Sequence, residues 1–74
     1  MKASIKLPFE CIVGTELEVV SNPLSGDFVT LTPDAVAVYD TIRGAEMTGN
    51  YKIVRKGLDW FRKHYPAEYM VLLD

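Results

Sequence analysis

The stretch TPDAVAVYDTIRGAEMTGNYKIVRKGLDWFRKHYP, residues 32–66, decides the fold because it carries the start and stop signals of two helices. It opens on Thr32-Pro33-Asp34, where the threonine hydroxyl can cap a backbone N–H, proline suits the first helical position and aspartate complements the helix dipole. Gly49 suits the position just past a helix end. These signals predict a first helix over about 33–48.

A second helix follows at once. Asn50 is a natural N-cap, and Pro66 disfavours helical geometry at the residue before it. The second helix is therefore predicted over about 51–64, and the two helices should form an αα-hairpin with a Gly49-Asn50 turn.

Apolar residues at helical spacing predict which faces are buried. The first helix places five of them on one face: Ala35, Val38, Tyr39, Ile42 and Ala45. The second helix has one stripe of five, widened by Ile53 and Trp60: Tyr51, Val54, Leu58, Phe61 and Tyr65. Gly44 interrupts the first helix at a cost of about 1 kcal/mol relative to alanine, so we expect its missing side chain to serve a close approach.

The first third of the chain is typical of strands. The run Glu16-Leu17-Glu18-Val19-Val20 begins with alternating polar and apolar residues, as expected of a half-buried strand. A turn-rich segment spans 21–27, and Phe28-Val29-Thr30-Leu31 returns as a second strand. Residues 4–13 could add one or two further edge strands around Pro8. We expect an antiparallel sheet of two or three strands.

After Pro66 the chain stays apolar to its last residues, which favours a short C-terminal helix over a strand. The whole pattern predicts an α+β fold, with a small antiparallel sheet packed on the αα-hairpin. At 74 residues the chain is long enough for one domain, so we expect 1–74 to fold as a single domain.

Composition excludes several kinds of site. Cys11 is the single cysteine and His64 the single histidine, so neither a disulfide nor a Cys/His zinc site can form within the chain. The chain has no signal-peptide pattern and no apolar stretch of membrane-spanning length, which predicts a cytoplasmic protein without membrane contact. A core this small is usually marginal, so a partner subunit would stabilise the fold.

The candidates for chemistry are few. His64 at a helix end and a pair of strand carboxylates, Glu16 and Glu18, have more ordinary roles as solvated side chains. Cys11 has no neighbouring cation in sequence to lower its pKa. No phosphate-binding or dinucleotide-binding glycine pattern is present in the sequence. We predict a protein that is not an enzyme and that needs no cofactor or metal.

Charge divides the chain into two parts. Residues 1–49 carry three basic and seven acidic side chains, a formal charge of −4. Residues 50–65 carry a formal charge of +4, from one acidic side chain and five basic ones on the outer face of the second helix: Lys52, Arg55, Lys56, Arg62 and Lys63. This face could bind nucleic-acid phosphates, could be merely solvated, or could meet the acidic half of a second copy.

Two resemblances add to this interpretation. Gly49-x-Tyr51, followed by Val54, Leu58 and Pro66, resembles the second half of a tetratricopeptide repeat. The first helix does not match that repeat, and one unit cannot form a solenoid, so the likeness indicates convergent hairpin geometry.

The second resemblance covers most of the chain and rests on three runs: residues 22–26 (NPLSG), 32–40 (TPDAVAVYD) and 60–69 (WFRKHYPAEY). In these runs the chain resembles small uncharacterised proteins of bacteriophages and bacterial mobile elements. The resemblance implies a small intracellular protein that binds something, and it transfers no functional residues.

We therefore predict a protein-interaction module that could form a homodimer, using exposed apolar residues near Trp60, Tyr65, Tyr69 and Met70. Each of these four side chains could equally belong to the core. The alternative is a nucleic-acid-binding protein that uses the five cations of the second helix.

Overall fold

The computed structural model describes residues 6–9 and 11–73. It has two strands, β1 (Glu18–Ser21) and β2 (Phe28–Leu31), followed by three helices, α1 (Pro33–Thr48), α2 (Tyr51–His64) and α3 (Pro66–Leu72). The α+β fold, both helix ranges of the αα-hairpin and the short C-terminal helix are confirmed. The sequence allowed one or two further strands within residues 4–13. Residues 4, 5 and 10 lie outside the described part of the chain, and the other residues of this segment form no strand.

The two strands pair antiparallel, with Val19 opposite Thr30 and Val20 opposite Val29. The connecting loop is closed by its own turn chemistry. The backbone N–H of Asn22 donates to the Asp27 carbonyl at 2.7 Å, the Asn22 side chain accepts from the Leu24 N–H at 2.9 Å, and Gly26 takes a positive φ of 81°. Asn22 also donates from Nδ2 to the Val71 carbonyl at 2.9 Å, which fastens the loop to α3.

The start of α1 differs from the expectation in one detail. Thr32 makes no side-chain cap to a helix N–H. Its hydroxyl donates to the Asp34 carboxylate, which in turn accepts from the Ala35 N–H at 2.9 Å. Asp34 therefore accepts the hydrogen bond from a free backbone N–H at the start of α1, while the Thr32 hydroxyl is hydrogen-bonded to the Asp34 carboxylate.

The turn between α1 and α2 is as predicted. Gly49 takes a left-handed φ of 76°, and the Asn50 side chain accepts from the Ile53 N–H. One core joins the helices and the inner face of the sheet. Its completely enclosed large side chains are Phe61, Leu31, Ile42 and Val38.

The close approach between α1 and α2 lies at a different glycine from the one expected. Gly44 is exposed, and no atom of the described residues beyond its own turn of helix lies within 4 Å of where a Cβ would be, so the prediction for Gly44 is wrong. At Gly57 of α2, a Cβ would lie 2.7 Å from Cδ1 of Ile42 and 3.3 Å from Cε2 of Phe9. The missing side chain of Gly57 is therefore what lets Ile42 of α1 pack against α2.

Candidate interaction surfaces

The described residues expose nine large apolar side chains, and six of them belong to one segment of the chain. We call this group the amino-terminal apolar surface; its members are Ile12, Val13, Leu17, Val19, Leu24 and Phe28. Ile12 and Leu24 are 95% and 96% exposed, and Phe28 is 71% exposed. Val19 and Phe28 share the outer face of the strand pair, whereas Ile12 lies beside Leu7, Phe9 and Cys11, and Leu24 beside Leu72 and Leu73. Exposed large apolar side chains in such number are candidates for an interaction surface.

The sheet explains why part of this surface faces solvent. Val20, Val29 and Leu31 point towards the helices, since they pack against or belong to the core. Side chains alternate along a strand, so Val19 and Phe28 fall on the opposite face. Only Ser21 and Thr30 accompany them there. The outer face of the hairpin is therefore uncharged and partly apolar.

The sequence alone does not decide which face of β1 is buried, because Val19 and Val20 are both apolar. In the structure Leu17 and Val19 are exposed, and Val20 packs against the core. The short strand begins at Glu18, so Glu16 lies outside it. Both glutamates are exposed beside the amino-terminal apolar surface.

All five cations of α2 are exposed, as the sequence predicts. With 3.6 residues per turn they fall on two flanks of the outer face. Arg55 and Arg62 lie towards α3, while the other three lie further round the helix: Lys52, Lys56 and Lys63. Among the described residues, Arg62 is the one of the five in an ion pair, with its Nη2 2.9 Å from Oδ1 of Asp59.

A groove of about 400 Å³ runs between α2 and α3. Both arginines line it and the three lysines do not. Its aliphatic and aromatic lining comes from Val54 and Leu58 together with two tyrosines, Tyr51 and Tyr69. We call this the α2–α3 groove: an apolar floor with two guanidinium groups at its rim and the carboxylate of Asp59 beside them.

The α2–α3 groove was not predicted as a unit. Tyr51 was assigned to the buried stripe of α2 and is 69% exposed, because the buried face of α2 centres on Gly57. Tyr69 is half-buried, and the Arg62 guanidinium carbon lies 6.0 Å from its ring centroid. A hydrophobic residue at the first position of a helix, followed by cations at i+4 and i+11, is a pattern too common to mark such a groove.

The four predicted interaction residues divide between core and surface. Trp60 is buried and donates its indole N–H to the Lys6 carbonyl at 2.6 Å. Tyr65 and Tyr69 are half-buried, and Met70 is exposed. Trp60 therefore belongs to the core, and of the four only Tyr69 lines the α2–α3 groove.

A polar cluster at the start of α1 joins α1 to the end of α2. The Tyr65 hydroxyl donates to the Asp34 carboxylate, at 3.2 and 3.3 Å from its two oxygens, and lies 2.9 Å from the Thr32 hydroxyl. Burial raises the pKa of Tyr65; the hydrogen bond with Thr32 opposes that rise, and the charge of Asp34 adds to it. This cluster holds Tyr65 as a neutral phenol.

Cys11 lies near the same carboxylate. Burial raises the pKa of its thiol, and the charge of Asp34 raises it further. A thiol with a raised pKa is a poor nucleophile because little thiolate is present near neutral pH. His64 is half-buried at the end of α2, with its ring centroid 5.3 Å from that of Trp60.

Among the described residues, no group of three histidine, cysteine, aspartate or glutamate side chains is placed to hold a metal ion. No helix in residues 6–9 and 11–73 has the length and apolar character needed to cross a membrane. Comparison of the chain with protein-family models, with curated proteins and with solved structures finds no match.

Proposed function

We propose that the chain is a small, non-enzymatic protein-interaction module that associates with itself. The observation that supports this most is the amino-terminal apolar surface, which concentrates six exposed large apolar side chains within residues 12–28. Burying such side chains against a partner yields about 25 cal/mol per Å² of apolar area. A cytoplasmic location is part of this proposal, because the single, half-buried cysteine suits a reducing compartment.

Self-association is favoured over an unrelated partner by the charges of the chain. The five exposed cations of α2 and the exposed acidic residues near the hairpin give one molecule two surfaces of opposite sign. The basic surface of one copy can therefore face the acidic surface of another, and this complementary charge would orient the two copies as they meet.

Sedimentation velocity over a range of concentrations tests the proposal. We expect the wild-type protein to pass from monomer to dimer as its concentration rises to the high micromolar range. The double variant Leu17→Gln/Phe28→Thr should weaken the dimer about tenfold or more, since it removes two side chains of the amino-terminal apolar surface.

The control is Met47→Gln, which changes an even more exposed apolar side chain on α1, outside that surface. It should dimerise like the wild type. A wild-type protein that stays monomeric at high micromolar concentration contradicts the proposed self-association.

A second candidate function is nucleic-acid binding through the five cations of α2, which is supported by their exposure on one side of a single helix. Fluorescence anisotropy with mixed-sequence DNA and RNA tests it. Binding should weaken with rising salt and with Lys56→Glu/Arg62→Glu, because counterion release drives such binding. Absence of binding at low salt would remove this candidate.

A further inference from the structure

We propose that the dimer is reciprocal: residues 12–18 of each copy lie in the α2–α3 groove of the other. This inference rests on the proposed self-association and specifies its contacts. The occupant of the groove is a second copy of this chain.

The groove sets the chemistry of its occupant. Arg55 and Arg62 line the groove; Arg62 is paired with Asp59, and the two arginines with this one carboxylate leave a net positive charge that favours an acidic occupant. The half-buried Leu58 and the exposed Tyr51 ring favour apolar side chains. Arginine is well suited to this role because its planar guanidinium can bind a carboxylate through two hydrogen bonds. The groove should therefore accept a short acidic segment that carries apolar anchors.

Residues 12–18 have this chemistry. The exposed carboxylates of Glu16 and Glu18 lie on either side of Leu17, and Ile12 is almost completely exposed at the other end of the segment. Basic side chains are absent from this stretch of sequence. The same chain thus presents both the acidic, apolar segment and the basic, apolar groove.

The dimensions also agree. Residues 12–18 bend at Thr15 and Glu16 in the structure, and fully extended they would reach up to about 23 Å. From Tyr51 to Arg62 along α2 is about 16 Å. The segment is therefore long enough to follow the groove with its carboxylates near the arginines, and in the structure the described lining of the groove comes from α2 and α3 alone.

Nucleic acid fits the groove less well. The Asp59 carboxylate lies within the lining and is paired with Arg62, so the groove has few cations for a nucleic-acid backbone, which repeats its charge at every phosphate. Tyr51 and Tyr69 offer rings on which a base could stack, so the preference for a second copy rests on charge and not on a lack of rings. The three lysines, which would contact phosphates most freely, lie outside the groove.

A charge exchange between two variants tests the reciprocal contact. One variant carries Glu16→Lys/Glu18→Lys and the other carries Arg55→Glu/Arg62→Glu. Alone, each variant would face like charges at both contacts, so we expect each homodimer to weaken by about tenfold or more. Mixed together, the two variants have opposite charges at both contacts, and the heterodimer should form with an affinity close to that of the wild type.

The control pair keeps the changes in charge but moves them off the contact. Lys56→Glu/Lys63→Glu reverses two cations of α2 outside the groove, and Asp40→Lys/Glu46→Lys reverses two exposed anions of α1. Both should keep a dissociation constant close to that of the wild type, because these charges only steer the encounter and make no contact in the proposed dimer. Circular dichroism of all four variants shows whether each is folded before its association is measured.

The outcomes are distinct. Dimerisation that is lost in Leu17→Gln/Phe28→Thr but unaffected by the charge exchange would overturn the reciprocal contact and leave self-association intact. A monomeric wild type would overturn both. DNA or RNA binding that Arg55→Glu/Arg62→Glu abolishes, with no dimer at any concentration, would assign the groove to nucleic acid instead.

Discussion

The amino-terminal third and the helical two-thirds of this chain bury their apolar residues very differently. The helices contribute nearly all of the enclosed core, including Phe61, Ile42 and Val38, while Leu31 is the one completely enclosed large side chain of the sheet. The hairpin and the segment before it expose six large apolar side chains. An isolated two-stranded hairpin is marginal in water, so the helical part stabilises the sheet, while the outer face of the sheet stays exposed.

Two phenylalanines provide the strongest test of this difference. Phe61→Ala should lower the free energy of unfolding by about 3–5 kcal/mol, because it leaves a cavity in the helical core. Phe28→Ala removes an exposed ring and should cost less than about 1 kcal/mol. Urea denaturation of dilute protein, followed by circular dichroism, measures both. Equal losses would show that Phe28 is buried in the monomer and would remove the contrast between the two regions.

Substitutions at two glycines test how closely α1 packs against α2. Gly57→Ala should destabilise the protein by about 1–3 kcal/mol, since the added methyl overlaps Ile42. Gly44→Ala meets no neighbour and should stabilise the protein by up to about 1 kcal/mol through helix propensity. Thermal unfolding of the two variants should therefore shift in opposite directions. A shift of both in the same direction would contradict the packing of α1 against α2.

Tyr65→Phe tests the polar cluster that joins α1 to the end of α2. The variant loses the hydroxyl that donates to Asp34, and we expect a loss of about 1 kcal/mol. Tyr51→Phe is the matched control, because its ring is exposed on α2. An equal effect of the two substitutions in urea denaturation would show that the cluster contributes nothing to stability.

The smallest expected effect is on alkaline stability. Since the pKa of Tyr65 is raised in the folded state, the folded protein holds this proton more tightly than the unfolded chain does. The stabilisation is fully present below the pKa of an unfolded tyrosine, about 10, and is lost as the pH rises through the higher folded value. Urea denaturation from neutral pH to about pH 11 should show a smaller decline for Tyr65→Phe than for the wild type.

Local rules predicted the helical region well. Pro33, Gly49, Asn50 and Pro66 act on the backbone of their immediate neighbours, so the ends of α1 and α2 follow from the sequence. The loop before β2 follows from its asparagine and glycine for the same reason. The helix ends and this loop can be predicted from the sequence without knowing which residues pack against them.

The candidate surfaces were harder to predict because they depend on tertiary contacts. Which face of β1 turns inward is decided by the helices that pack on it, and the adjacent Val19 and Val20 left that choice open in the sequence. Which glycine permits close packing depends on where Ile42 lies across α2. Tyr51 is exposed although the stripe of α2 placed it on the buried face, since the buried face of α2 is set by α1.

The most direct test of the central claim is NMR of the backbone amides as protein concentration is raised. The account predicts chemical-shift changes in residues 12–28 and along the α2–α3 groove, at Tyr51, Leu58 and Tyr69, with little change at the buried residues of α1. Spectra that do not depend on concentration, or changes confined to other surfaces, would contradict it.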